Sequence, residues 1–185
     1  MVKTVAAVTL GCKVNQYDTE AMLEAFERHG YRIVPNGSPA DVYLVNTCTV
    51  TGTGDKKSLQ LIRRCRRRNP QADVVVTGCL AQRMGEQLRE TGARLILGTQ
   101  YRGRVVELLE QAIAENIQMV AVEGIENAPY ELLSIRSHEG HTRAVMKIQE
   151  GCDNHCTYCI IPSVRGGIRS RPLSAIAEEA AALAQ

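Results

Sequence analysis

Nowhere do the 185 residues string together the ~18 consecutive apolar residues that a membrane-crossing helix needs, so no span is expected. The start, Met1-Val2-Lys3-Thr4, runs directly into Val5-Ala6-Ala7-Val8 with no long apolar core and no cleavage site. It is therefore read as a strand and not as a targeting segment. Internal repeats and low-complexity tracts are missing too. A charge bias is all but absent: the formal net charge is +2, which by itself predicts no partner. A charged share of 23% beside 44% hydrophobic residues argues against disorder and gives chain enough for one globular domain, or for one and part of another. Finally, an even number of cysteines is lacking. Seven cysteines without a secretory signal make a closed disulfide framework a poor reading. A reduced, cytoplasmic compartment with metal or redox chemistry fits better.

What is present begins as an alternation. Short β-branched runs stand at Thr4–Leu10, Val42–Val45 and Val74–Thr77, with a weaker one at Leu95–Leu97. Between them come stretches of helical spacing, marked by Met22, Leu23 and Phe26, by Leu59, Ile62 and Cys65, and by Val105, Val106, Leu108, Leu109, Ala112 and Ile113. Gly30, Asn36-Gly37-Ser38-Pro39, Asn69-Pro70 and Gly92 punctuate them. Such an order predicts βαβ units, hence an α/β fold with a parallel sheet and flanking helices over residues 1–118. Residues 119–141 read as a connecting segment with a short strand at Met119–Val122. From 142 a new unit is expected: a strand at Arg143–Ile148, a cysteine-rich loop, and a helix from Ser174 to the end with nothing after it to pack against. This reads as the opening strand-loop-helix of a second domain, truncated here.

Three cysteines share a structural address. Cys12 follows the first predicted strand, Cys48 the second and Cys79 the third. In a parallel sheet the carboxyl ends of the strands form one edge, where such folds place ligands. Neighbouring strands lie ~4.8 Å apart, so three thiols there can converge on one inorganic centre despite sequence gaps of 36 and 31 residues. The plainer alternative is three small buried hydrophobes, as free cysteine often is. The second group, Cys152, Cys156 and Cys159, is a C-x3-C-x2-C triad within eight residues. Structural zinc wants four protein ligands; His155 could be the fourth, but its adjacency to Cys156 disfavours joint ligation. A redox dithiol at Cys156/Cys159 leaves Cys152 unexplained. An iron–sulfur cubane held by three thiolates, with one iron open to a chelating cofactor, is favoured.

These motifs resemble those of a known family. The C-x3-C-x-aromatic-C pattern is similar to that of the radical S-adenosylmethionine (SAM) superfamily. Its flanks, Lys147–Gly151 and Ile160–Gly166, resemble the methylthiotransferase branch, as do Leu10–Tyr17, Val45–Thr51 and the stretch from Lys56 to Gln82. The finer likeness, carried by Lys13-Val14-Asn15-Gln16 and Thr49-Val50-Thr51, is to enzymes that methylthiolate N6-threonylcarbamoyladenosine at position 37 of tRNA, beside the anticodon. Ser163 departs from the pattern, where relatives usually carry an aromatic. The resemblance implies a flavodoxin-like first domain followed by the start of a partial TIM barrel. It implies that Cys152, Cys156 and Cys159 hold a 4Fe–4S cluster chelating SAM, with Tyr158 against the SAM adenine. One-electron cleavage of SAM then gives a deoxyadenosyl radical that abstracts hydrogen from adenine C2. Cys12, Cys48 and Cys79 would hold an auxiliary 4Fe–4S cluster carrying the sulfur to be transferred. tRNA and a reductant such as flavodoxin or ferredoxin are the implied partners. The 26 residues after Cys159 cannot complete a barrel, so this chain alone is expected to be inactive. Competing functions are methylthiolation of isopentenyladenosine or of a ribosomal protein, a zinc-ordered RNA-binding module, and a two-cluster electron carrier.

Other residues attract attention for charge. Lys56, Lys57, Arg63, Arg64, Arg66, Arg67 and Arg68 fall in one predicted helix with no acidic residue among them. Such a face repels itself and gains from meeting phosphate, so Lys56, Lys57, Arg63, Arg64, Arg67 and Arg68 are RNA-contact candidates; the alternative is a solvated surface. Cys65 lies on the Leu59/Ile62 side and is read as core. Arg165, Arg169 and Arg171 are expected to steer RNA phosphate or the SAM carboxylate, or simply to be solvated. The stretch Gly52–Ser58 is not a P-loop, because Thr49 and Asp55 occupy the positions that need Gly and Lys. His29, His138 and His141 are expected at the surface.

Overall fold

The computed structural model describes residues 2–126, 128–136 and 144–184. Its body is a six-stranded sheet in the order β2-β1-β3-β4-β5-β6, with every neighbouring pair parallel. The strands are β1 (Thr4–Thr9), β2 (Arg32–Ile33), β3 (Val42–Thr47), β4 (Asp73–Gly78), β5 (Leu95–Leu97) and β6 (Met119–Ala121). The helices are α1 (Lys13–Arg28), α2 (Gly52–Arg68), the short α3 (Cys79–Met84) and α4 (Val105–Ala114). This is the expected α/β fold, with the strand order of flavodoxin-like proteins.

Strict alternation of the strands sorts the core into two layers. Val5, Val42, Leu44, Val75, Leu95 and Leu97 face α1 and α4, where Met22, Phe26, Val106 and Leu109 meet them. Ala6, Tyr43, Val45, Val74, Val76 and Ile96 face the other way, onto Ile62 and Cys65 of α2 and Ala81 of α3. Helices therefore cover both faces, as a parallel sheet requires. Cys65 is buried in this second layer, as expected. Neither β2 nor α3 announces itself in the sequence, since two and six residues are too few to show a period. The strand read at Met119–Val122 is β6, which pairs with β5 as the edge of the same sheet.

The remaining residues hold α5 (Ile161–Arg165), α6 (Leu173–Leu183) and a two-residue antiparallel ladder of β7 (Gln149–Glu150) with β8 (Arg169–Ser170). The strand expected at Arg143–Ile148 is not found there: β7 begins only at Gln149, directly after that range; Arg143 lies outside the described residues, and 144–148 form no ladder. That stretch is held by single contacts: Tyr130 Oη donates to the Lys147 carbonyl at 2.8 Å and Arg171 N–H to the Ile148 carbonyl at 2.9 Å. The last helix finds its packing partner earlier in the chain. α6 folds back onto α1, with Leu183 against a cluster of Tyr17, Ala21, Leu133 and Ile135.

Candidate functional site

The strand order reverses between β1 and β3, since the chain leaves β1 for β2 on one side and then crosses to β3 on the other. Crevices at such switch points receive ligands. Cys12 and Cys48 stand at the carboxyl ends of these two strands, and Cys79 follows β4 as the first residue of α3. All seven cysteines are free thiols; Cys12 is exposed, Cys48 half-buried and Cys79 buried. Two glycines let the backbone pass between them. A Cβ on Gly11 (φ +110°) would stand 3.2 Å from Cys48 Cβ and 3.3 Å from its sulfur, while one on Gly78 (φ +94°) would collide with Asn46 and the Thr47 backbone. Burial pushes the Cys79 thiol pKa up, Arg165 pulls it down, and Cys48 and Cys12 add to the rise.

Asn15 ties this edge together from the first turn of α1. Its side-chain amide donates to the carbonyl of Leu10 at 2.7 Å and of Thr47 at 3.0 Å, the residues just ahead of Cys12 and Cys48. Asn46 donates in turn to the Asn15 carbonyl and to Thr19 Oγ1, leaving its buried Oδ1 without a partner beside Gly78. Among the described residues, no three His, Cys, Asp or Glu side chains close on a position for a single metal ion. A cubane makes a different demand, because each thiolate binds its own iron at a corner of a larger body.

Cys152, Cys156 and Cys159 lie in an open loop between β7 and α5. Cys156 is exposed, the other two half-buried, and Tyr158 is 90% exposed. The loop is pinned at its ends: Cys152 N–H donates to the Gly166 carbonyl (3.0 Å), Cys159 N–H to that of Cys156 (2.9 Å), and Ile168 N–H to Asp153 Oδ1 (2.9 Å). Gly151 (φ +83°) runs so close to Gly166 and Gly167 that no side chain fits there. His155 is exposed with a left-handed φ of 40°.

The sequence reading missed what joins these regions. Asp18 of α1, Arg102 in the turn before α4, and Lys147, Glu150 and Arg165 from the second region form one buried ionic network. Arg102 pairs with Asp18, with Glu150 (2.9 Å) and with Glu131 (2.7 Å); Lys147 reaches Asp18 at 2.6 Å; Arg165 reaches Glu150 at 2.5 Å and Asp18 at 3.2 Å. Burial raises the Asp18 and Glu150 pKa values, but Arg102, Lys147 and Arg165 outweigh it and hold both below the usual carboxylate range. Arg165 and Arg171 are therefore neither solvated nor free to steer phosphate: both are buried, and Arg171 is bound to Glu179 of α6 and to Tyr17 Oη (3.2 Å). Arg169 is half-buried and donates to the backbone carbonyls of Ala128, Pro129 and Arg165. A signal was available on α1, where Asn15, Asp18 and Thr19 occupy the same helical face as Met22 and Phe26 and are buried with them.

The basic helix is placed as expected. Lys56, Lys57, Arg63, Arg64 and Arg67 are exposed on α2 and Arg68 is half-buried. Lys57, Arg63, Arg64 and Arg67 line a cavity of about 620 Å³ that extends to Leu10, two residues before Cys12. Asp55 is occupied by Arg83 at 2.7 Å and does not neutralise that face. His29 is exposed at the end of α1; His138 and His141 lie outside the described residues.

The model of a family described as uncharacterized protein family UPF0004 matches residues 4–98. The threonylcarbamoyladenosine tRNA methylthiotransferase MtaB of Bacillus subtilis (strain 168) is 46% identical over 179 residues, 96% of this chain and 40% of that protein. The ribosomal protein uS12 methylthiotransferase RimO of Desulfitobacterium hafniense (strain Y51) is 37% identical over 98% of this chain and 42% of its own length. A tRNA-2-methylthio-N(6)-dimethylallyladenosine synthase of Methylacidiphilum infernorum (isolate V4) is 32% identical over 96% and 40%. The chain spans less than half the length of these curated relatives.

Proposed function

The chain belongs to the UPF0004 family, and on that premise we propose that it is the N-terminal part of a radical SAM methylthiotransferase. The full-length enzyme would add a methylthio group to C2 of N6-threonylcarbamoyladenosine at position 37 of tRNA, in the cytoplasm, with electrons from a flavodoxin or ferredoxin. The observation that carries this reading is the presence of two cysteine triads, one at a sheet switch point and one in a pinned loop, joined by a shared buried network. The choice of nucleotide rests on the 46% identity to the threonylcarbamoyladenosine enzyme, against 37% and 32% for the ribosomal-protein and dimethylallyladenosine enzymes.

The donor chemistry suits two thiolate-held clusters. Cys12, Cys48 and Cys79 would hold one, where Gly11 keeps a side chain clear of the Cys48 thiol and Gly78 lets the backbone pass close to Asn46 and Thr47 just ahead of Cys79. Cys152, Cys156 and Cys159 would hold the other. When bound, the two clusters and SAM supply radical generation and the transferable sulfur. The protein's own residues hold and orient. Tyr158 is 90% exposed on the loop, available to an adenine ring. Lys56, Lys57, Arg63, Arg64, Arg67 and Arg68 offer a cationic track that leads to the Cys12 edge, suited to an RNA backbone.

The test is a mass-spectrometric nucleoside profile of tRNA from cells lacking the full-length protein. The methylthio derivative of threonylcarbamoyladenosine should vanish, its unmodified precursor should accumulate, and the gene should restore the profile. Loss of the methylthio group from isopentenyladenosine, or from a ribosomal protein, would move the substrate accordingly.

A further inference from the structure

Arg165 sits six residues beyond Cys159, at the end of α5, yet its guanidinium reaches the opposite triad. Its Nε donates to the sulfur of Cys79 at 3.4 Å. One terminal nitrogen donates to Asn15 Oδ1 at 2.5 Å, and the other to Glu150 and Asp18. Asn15 in turn holds the carbonyls preceding Cys12 and Cys48. One side chain thus addresses all three cysteine-bearing loops, Cys79 directly and the other two through a single amide. The arginine is itself fixed, because Thr99 Oγ1 donates to the Val164 carbonyl at 3.1 Å and Arg169 to that of Arg165 at 2.5 Å.

Ion pairing alone does not account for this arrangement. Lysine could neutralise Asp18 and Glu150, as Lys147 already does. Only a planar fork with separate donors can serve two carboxylates, an amide and a sulfur at once. We infer that Arg165 is a positioning residue of the Cys12/Cys48/Cys79 centre, through which the segment bearing the second triad sets the electronic state of the first. The inference rests on the proposal that these three thiols hold an iron–sulfur cluster. A hydrogen bond and a positive charge at a ligand sulfur stabilise the more negative, reduced cluster and raise its potential.

The experiment uses the full-length protein with Cys152, Cys156 and Cys159 changed to Ala, so that only the sheet-edge centre takes up iron. Iron content and a reductive titration followed by paramagnetic resonance are compared in this parent and in Arg165→Lys, Arg165→Gln and Arg102→Lys. The Arg165 variants should keep about four irons, as one cubane requires, while their midpoint moves to more negative potential and their resonance changes shape. Arg102→Lys touches no sulfur and, unlike a neutral substitution, keeps a cation beside Asp18 and Glu150, so it should leave both readouts in place. Arg165→Lys keeps the charge for the carboxylates and covers the case in which Arg165→Gln does not fold. A parent-like midpoint and spectrum in Arg165→Lys would overturn the inference alone. A parent that binds no iron would overturn the cluster proposal and this inference with it.

Discussion

Cys12, Cys48 and Cys79 are separated by 36 and 31 residues and owe their shared sheet edge to three parallel strands, whereas Cys152, Cys156 and Cys159 fall within eight consecutive residues beside a two-residue ladder. The first triad stands on the most buried part of the molecule: every residue of β3 is buried, as are five of the six in β4. The second has no comparable floor. Its order comes from hydrogen bonds to Gly166 and Asp153 and from the ionic network that fastens Glu150 and Arg165 to Asp18 and Arg102. The two regions therefore differ in what chiefly keeps them ordered, extensive apolar packing in one and charge pairing beside the small apolar patch at Leu183 in the other, and they should fail under different insults.

The sharpest way to break the contrast is through Arg102. Arg102→Met leaves two buried carboxylates, Asp18 and Glu150, and the half-buried Glu131 short of a partner, and breaking such a network costs about 3–5 kcal/mol. A urea melt should show the loss, and hydrogen exchange should show residues 144–184 opening while the amides of β3 and β4 stay protected. Equal loss of protection in both regions would contradict the division.

Acid acts on the same fastening. Because Asp18 and Glu150 have folded pKa values below their unfolded ones, their stabilisation is fully present above the unfolded values of about 4. It is lost as pH falls through the depressed folded values. Pepsin below about pH 4 should cut within 144–184 before the sheet. Simultaneous cutting throughout would argue against a local charge-dependent dock.

Gly78→Ala attacks the other side of the comparison. Gly78 has φ +94° and ψ −166°, a region open essentially to glycine, and the backbone cost alone is about 1–3 kcal/mol before the collision with Asn46 and Thr47. The Cys79 end of the sheet should loosen, read as lower stability and faster alkylation of Cys79, with the Cys152 loop unchanged.

Much of this was legible in the sequence for a physical reason: burial on both faces writes a strand as an unbroken apolar run, as in Val74-Val75-Val76 and Leu95-Ile96-Leu97. The strand-end positions of Cys12, Cys48 and Cys79 were readable because each thiol follows such a run. The network was not, because Asp18, Arg102, Glu131, Glu150 and Arg165 are scattered over 148 positions and look individually like surface charges. Only their meeting makes burial tolerable. Arg165 and Arg171 were misplaced for that reason, while Arg63, Arg64 and Arg67 of α2 are exposed as expected, with no ion pair to an acid among the described residues.

The smallest expected effect on stability sharpens that last point. Changing Arg63, Arg64 and Arg67 to Gln should alter stability by no more than about 0.5 kcal/mol, as exposed positions do. The same variant should bind tRNA more weakly, with a log-salt slope flatter by roughly one unit per lost phosphate contact. An unchanged slope would make α2 a solvated face.

The central claim, that two triads built by such different means each hold a cluster, is tested most directly by iron content after anaerobic reconstitution. The account predicts about eight irons per chain, falling to about four when Cys12, Cys48 and Cys79 become Ala, and to about four when Cys152, Cys156 and Cys159 do. Cys65→Ala should leave the count alone, since that thiol is packed in the core against α2's own sheet face. Full iron in the Cys12/Cys48/Cys79 variant would contradict the claim and return those thiols to ordinary buried cysteines.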